Sequence, residues 1–395
     1  MAKVIILGAA YPLRAGGLAT FNERLAEEFI QLGHDVTIYT FSLQFPRLFF
    51  PGKTQYASGP APRNLNIRVK VNSINPINWY LVGKEIQKEA PDFLVIRYWL
   101  PFMAPCLGTI AAITRKNKTT RVIAITDNII PQESRFGDKM FIRYFVNRAD
   151  GFVTLSRSVL KELEEFDKKN KPKIFCPHPL YDTFGNKITR GQALEILKLS
   201  PEYRYILFFG FIRDYKGLDI LLNAMAEPKV RALPVKLIVA GEFFSSDLPF
   251  LKIIRENGLG HKVILHTHFI RNEKVAAYFC ASDLVVQPYK EASQSGVTQI
   301  AYHFDVPMVV TNVGALPEMV PHKVAGLVVK SNHKMVAKAI NQFFEDDLSK
   351  RFKKGVEQQK SRFIWKNLVD AIFKASEKNK LISGSSIVYA LTLFL

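Results

Sequence analysis

The chain has 395 residues, of which 48% are hydrophobic, 23% charged and 12% aromatic. This composition supplies packed cores and excludes a disordered or collagen-like chain, and the length suits two domains at roughly 100–200 residues each. Lys and Arg number 54 against 35 Asp and Glu, a formal charge of +19, which favours an anionic partner: a nucleotide, a phosphate, nucleic acid or an acidic membrane surface. Because the surplus is spread over both halves, no basic arm stands out and nucleic acid is not the expected partner.

Cys106, Cys176 and Cys280 lie far apart, so neither a disulfide framework nor a zinc pair is expected, and a reducing cytoplasm is the expected compartment. The apolar run at the N-terminus, Val4 to Leu7, is too short for a signal-peptide core. The longest internal apolar stretch, Leu94 to Ile113, is broken by Arg97, Pro101 and Pro105, and a membrane span needs about 20 apolar residues.

In chain order, Val4–Leu7 reads as a first buried strand. The Gly16-Gly17 loop follows, then a helix carrying Phe21, Leu25, Phe29 and Leu32 on one face, closed by Gly33. Val36–Tyr39 is the next strand, so the opening unit is strand, loop, helix, strand, with a right-handed crossover. Phe93–Ile96, Val122–Ile125 and Phe152–Leu155 are continuous apolar runs, as parallel strands buried on both faces require. Ser156 caps the helix predicted from Val159 to Phe166. Lys168 to Pro179, rich in Lys and Pro, reads as a linker, with 176–182 as the joint itself.

A second series follows: strands at Ile206–Phe209, Leu237–Ala240, Val263–Leu265, Leu284–Val286 and Met308–Val310, with helical patterns such as Leu218 to Met225 and Lys274 to Cys280 between them. The predicted fold is α/β: two doubly wound, Rossmann-like parallel-sheet domains facing a cleft, at 1–175 and 183–360. The helical pattern Ile364 to Phe373 falls in a segment, 361–380, that packs on either domain, and the tail 381–395 follows no pattern.

Ligands of open parallel sheets sit beyond the carboxyl ends of the strands, so the exit loops are where chemistry is expected. Gly16-Gly17 is either a plain tight turn or a loop whose backbone N–H groups approach a phosphate; it is not a G-x-G-x-x-G fingerprint. Gly210 to Gly217 follows a buried strand and carries Arg213 and Lys216, two cations suited to a diphosphate. Pro288 to Gln299 leaves another strand; Ser295-Gly296 opens a helix, and Glu291 reads either as an acceptor for sugar hydroxyls or as a surface acid. Asn312 to Glu318 leaves the next strand, with Glu318 a second candidate acid. His266 and His268 read as solvated or core residues rather than metal ligands, and there is no D-x-D triad or zinc-protease pattern.

The run from Phe208 through Lys216-Gly217, together with Val239-Ala240-Gly241-Glu242, Glu291 to Gln299 and Val309 to Glu318, resembles the donor-binding half of glycosyltransferase family 4, retaining enzymes of the GT-B architecture. Gly16-Gly17 and Gly33-His34-Asp35-Val36 resemble the start of that family's acceptor half. The resemblance spans most of 1–375. It implies transfer of a sugar, hexosyl in type and without a metal or cofactor, from a nucleotide diphosphate sugar to an acceptor, with the final helix crossing back to the first domain. Carried over by residue, Arg213 and Lys216 hold the donor diphosphate and Glu291 the donor sugar. Ser295, Gly296 and Val297 act through backbone groups, and Gly16, Gly17, Gly241, Glu242 and Gln299 complete the donor contacts. Two departures stand out. Gln299 occupies the place of the family's second Glu, and where family members often carry a His the chain reads Thr126-Asp127-Asn128, so that either Asp127 takes that role or the site differs.

The apolar and basic loop Phe41 to Pro51, together with the net charge, points to peripheral attachment at the cytoplasmic face of a membrane and to a glycan or polyprenyl-linked acceptor of the kind used in surface polysaccharide assembly. A nucleotide-sugar epimerase of the same architecture and an inactive nucleotide-sugar-binding relative are the alternatives.

Overall fold

The computed structural model describes residues 1–13, 17–46, 55–57, 60–131, 135–180, 182–292 and 295–377. The chain forms two compact units, residues 1–176 with 366 onward, and residues 177–365. Gly16, Arg47 to Pro51 and the tail 381–395, each named above, lie outside the described residues.

In the first unit the chain runs β1 (Lys3–Leu7), α1 (Gly17–Gln31), β2 (Asp35–Leu43), β3 (Asn66–Asn72), α2 (Pro76–Glu89), β4 (Phe93–Tyr98) and α3 (Ala104–Thr114). It continues through β5 (Arg121–Thr126), α4 (Asp138–Val146), β6 (Gly151–Thr154), α5 (Arg157–Phe166) and β7 (Lys173–Phe175). These strands make one parallel sheet ordered β3-β2-β1-β4-β5-β6-β7. Ser156 caps α5, its hydroxyl accepting from the Val159 N–H at 3.2 Å.

The second unit runs α6 (Arg190–Leu197), β8 (Arg204–Phe209), α7 (Leu218–Ala226), α8 (Pro228–Ala232), β9 (Val235–Ala240), α9 (Leu248–Glu256), β10 (Val263–His266) and α10 (Asn272–Ala281). Then come β11 (Leu284–Gln287), α11 (Gly296–His303), β12 (Met308–Thr311), α12 (Leu316–Met319), β13 (Gly326–Val329), α13 (His333–Glu345) and α14 (Ser349–Gln359). Its parallel sheet is ordered β10-β9-β8-β11-β12-β13. Successive residues enter cores on opposite faces: Ile206 and Phe208 of β8 join one, Tyr205 and Leu207 the other, and β9 divides likewise. This two-sided burial is why the strands read as unbroken apolar runs.

In both sheets the order reverses beside the first strand, so each has a switch point where two exit loops diverge, β1 with β4 and β8 with β11. Three strands are not among those predicted. β3 alternates polar and apolar residues, β13 is a short run, Leu327 to Val329, and both are sheet edges and only partly buried. β7 corrects the linker reading of Lys168 to Pro179: Lys173–Phe175 is the last strand of the first sheet, pairing with Phe152 to Thr154. The chain passes to the second unit after Cys176 and returns at Lys366, inside α15 (Trp365–Ser376). There Phe373 packs edge-on against Phe29 and Phe93, at 6.1 and 5.1 Å between centroids.

Candidate active site

At the switch point of the second sheet, the loops leaving β8 and β11 are clipped together. The Lys290 N–H donates to the Tyr215 carbonyl at 2.7 Å, and the Lys290 ammonium pairs with Asp214 at 2.9 Å and Asp219 at 3.2 Å. Tyr215 meets Tyr289 edge-on at 6.2 Å. Gly217 sits at φ +68°, and a Cβ there would lie 2.1 Å from the Pro288 carbonyl oxygen. The loop leaving β12 closes on the same strand exit, since a Cβ on Gly314 would lie 1.3 Å from the Ala292 oxygen. No side chain fits at either place, so glycine sets how closely these loops approach.

Lys216 lies inside this junction. A Cβ on Gly210 would stand 3.0 Å from its Nζ and 3.7 Å from a Val297 methyl, so the ammonium shares a small space with the first turn of α11. The ring of buried Tyr289 lies 5.8 Å from Nζ. No carboxylate pairs with Lys216 among the described residues. Burial, with repulsion from Arg213 added, brings its pKa down to about 8. Arg213 is exposed and lays its guanidinium over Phe244 at 3.8 Å.

The N-terminus of α11 is capped from within the junction. Ser295 donates to Gln287 Oε1 at 2.5 Å and accepts from the Thr298 N–H at 3.4 Å. Its hydroxyl is therefore engaged, and what α11 turns outward at this end is the exposed backbone of Gly296. Gln299, one turn on, is fully buried, and neither of its amide atoms has a hydrogen-bond partner among the described residues. A buried amide without partners is costly. Glu318 Oε2 is likewise buried and unpartnered. Glu291 and Glu242 are both exposed. Gly241 and Glu242 continue the β8–β9 pairing past the sheet, with the Gly210 N–H on the Ala240 carbonyl at 2.9 Å and the Ile212 N–H on the Glu242 carbonyl at 2.9 Å.

The first unit differs. Asp127, at the exit of β5, receives two hydrogen bonds of 2.7 Å from Nε and Nη2 of Arg97, at the end of β4. Arg97 is 3% exposed and stands over the Phe21 ring at 3.5 Å. Both Asp127 oxygens are thus occupied by one guanidinium. Gly17 is the first residue of α1. His266 shares a hydrogen bond with the Tyr278 hydroxyl at 2.9 Å. Among the described residues no three His, Cys, Asp or Glu side chains gather where a metal ion could be held.

Sequence reasoning brings Lys216, Ser295 to Val297 and Gln299 into one neighbourhood, and it misses Tyr289, Lys290 and Arg97. Arg97 carried a signal: a lone charge inside an apolar strand run requires a buried partner.

Residues 15–177 match the model of Glycosyltransferase Family 4, and residues 203–346 match that of Glycosyl transferases group 1. The chain belongs to glycosyltransferase family 4. It is 24% identical over 307 residues to an uncharacterized glycosyltransferase of Methanocaldococcus jannaschii, covering 76% of this chain and 80% of that protein. With the D-inositol 3-phosphate glycosyltransferase of Mycobacterium marinum it shares 29% identity over 238 residues, 58% of this chain and 50% of that protein. In fold it is similar to Anabaena HepE, solved in complex with UDP-glucose, with a TM-score of 0.68 and 16% identity over 95% of this chain and 99% of that one. The two parallel α/β units are those of GT-B glycosyltransferases, and this family 4 chain is a sugar transferase.

Proposed function

We propose that this glycosyltransferase takes its sugar from a nucleotide diphosphate donor bound at the β8–β11 switch point, and passes it with retention to a lipid-linked or growing surface glycan held by the first unit. The observation that carries the donor reading is Lys216: a cation withdrawn from water, without a carboxylate, beside a helix N-terminus. Such an ammonium is costly until an anion joins it. A diphosphate there gains the lysine, the Arg213 fork and the backbone N–H groups opening α11. Anabaena HepE, solved with UDP-glucose, supports a nucleotide sugar as that anion.

In this reading the acceptor hydroxyl attacks the anomeric carbon on the face from which the diphosphate leaves, and its proton passes to the departing phosphate. Negative charge grows on the leaving oxygen, where Lys216 and the α11 N–H groups are already placed, so charge stabilisation supplies most of the acceleration. The two side-chain cations do the neutralising, and transfer proceeds without a divalent metal; full activity in EDTA is the expected result. Glu291 takes sugar hydroxyls, whereas the Gln299 amide, fully buried, has no surface to offer the donor and drops out of the contacts expected of it. Asp127, occupied by Arg97, holds the acceptor side in shape rather than acting as a base.

The test is a thermal-shift screen against nucleotide sugars and free nucleotides, repeated with Arg213→Ala and Lys216→Ala. A ligand of the native state raises the melting temperature by mass action. One nucleotide sugar should stabilise the wild type, with the shift lost in Lys216→Ala; a panel without any shift would remove the donor assignment.

A further inference from the structure

Helices on a protein surface ordinarily turn charge to solvent and apolar residues inward. On α2, Val82, Gly83 and Ile86 face inward, so tightly that a Cβ on Gly83 would stand 2.9 Å from Ile113 Cβ. The outward stripe, at spacing i, i+3, i+4, i+7 and i+11, reads Ile77, Tyr80, Leu81, Lys84 and Lys88. Ile77 is 72% exposed, Leu81 59% and Tyr80 52%, and Ile74, just before the helix, adds 49%. Four large apolar side chains thus stand in water on one corner.

That corner is built to hold its shape. Asn75 accepts from the N–H groups of Ile77 and Asn78 at 3.0 and 3.2 Å. The Asn78 amide accepts from the Asn72 N–H at 2.8 Å and donates to the Lys70 carbonyl at 2.9 Å, while Trp79 Nε1 donates to the Asn72 carbonyl at 2.7 Å. Farther along the helix the stripe turns cationic with Lys84 and Lys88. The next turn, tied to α2 through the Asn117 amide and the Gln87 carbonyl at 3.3 Å, presents exposed Lys116 and Lys118. The acids on the helix flank are already engaged, Glu85 by Lys70 and Glu89 by Lys3, Arg68 and the Tyr39 hydroxyl.

We propose that this face of α2 docks on an anionic lipid surface, with Ile74, Ile77, Tyr80 and Leu81 entering the interface and Lys84, Lys88, Lys116 and Lys118 on the headgroups. Charge complementarity decides the occupant: apolar side chains with an aromatic at the tip and lysines behind match the layering of an acyl boundary under anionic headgroups. The inference deepens the lipid-linked acceptor reading and rests on α2; of the loop Phe41 to Pro51 only the described part bears on it. Phe41 is fully buried, and Phe45 stacks on Phe102 at 6.1 Å.

The experiment is vesicle co-sedimentation of the full chain without donor, with phosphatidylcholine alone and with about one third phosphatidylglycerol. Wild type should sediment with the anionic vesicles and far less with the neutral ones. Ile77→Ser with Leu81→Ser should cut binding by about tenfold or more, and Lys84→Glu with Lys88→Glu should abolish the preference for anionic lipid. Both pairs are exposed, so an unchanged melting temperature confirms folding. Wild type left in solution at low salt overturns the proposal. So does an Ile77/Leu81 variant that binds as wild type, or binding to short duplex DNA in place of vesicles. Donor binding retained in Lys216→Ala, with vesicle binding of the wild type as expected, would count against the donor reading alone.

Discussion

The two sheets share one strand order around their switch points, yet they treat charge at their carboxyl ends in opposite ways. In the first unit the buried cation Arg97 is answered by Asp127 with two hydrogen bonds of 2.7 Å. In the second, Lys216 is only partly exposed and has no carboxylate, and its neighbours are Gly210, Tyr289 and the opening of α11. Asp127 neutralises Arg97, whose Nη1 alone stays without a partner among the described residues; Lys216 has no carboxylate, and in the proposed reading a diphosphate supplies the missing charge. In that reading the same scaffold carries a neutralised cation in one unit and an unneutralised one in the other.

The largest expected effect breaks the closed side. Arg97→Met leaves Asp127 without its guanidinium and should lower stability by about 3 kcal/mol or more, as for other buried pairs that lose one partner. Arg97→Met with Asp127→Leu should recover much of that loss, since no buried charge then stands alone. Denaturant melts of wild type, Arg97→Met, Asp127→Leu and the double variant give the coupling. A double variant no more stable than Arg97→Met would show that the pair is not what holds this end of the sheet.

On the open side the loss should appear in turnover. Lys216→Ala removes a cation from the leaving group and should lower kcat by roughly 10²–10³-fold, the usual cost of losing one preorganised stabilising group. Its stability should hold or rise, because burying that ammonium is itself unfavourable. Melting curves and steady-state rates on the same preparation separate the two units: stability should fall at Arg97, rate at Lys216.

A finer test uses pH. Burial holds the Lys216 pKa down to about 8, with Arg213 adding repulsion. A bound diphosphate favours the charged form and raises that pKa, so binding takes up a proton wherever the free enzyme has lost it. Donor affinity should therefore be flat below about pH 8 and decline as pH rises through that value. In Lys216→Arg the guanidinium keeps its charge and the decline should vanish. Calorimetry in two buffers of different ionisation enthalpy reads the proton directly.

How much of this was legible in the sequence follows from what a linear pattern records. Apolar runs mark strands buried on both faces, so the central strands of both sheets, and the exit loops carrying Arg213, Lys216 and Glu291, could be placed by reading along the chain. The edges of the first sheet leave no such run: β3 alternates polar and apolar residues, and β7 hides in a Lys- and Pro-rich segment. Pairings across strands are equally invisible. Arg97 and Asp127 lie 30 residues apart and meet because β4 and β5 pair in parallel register, Arg97 opposite Ile125. The depth of Gln299 and the outward apolar stripe of α2 depend on which helix face the sheet covers, which periodicity alone does not assign when both faces carry apolar residues.

The smallest effect lies at the clip joining the two donor loops. Lys290 pairs with Asp214 and Asp219 at a half-exposed position, and such pairs contribute about 0–1 kcal/mol. Lys290→Ala should therefore shift the melting temperature little. The pair fixes how the Gly210–Gly217 turn stands against the exit of β11, and so where Lys216 sits relative to α11. Loosening it should raise KM for the donor severalfold with kcat less affected, because the cation remains but must be ordered at the moment of binding. Lys290→Arg, which can still span the two acids, should restore much of the affinity. A Lys290→Ala enzyme with unchanged KM would leave Gly217, packed on the Pro288 carbonyl, as sufficient to set the junction.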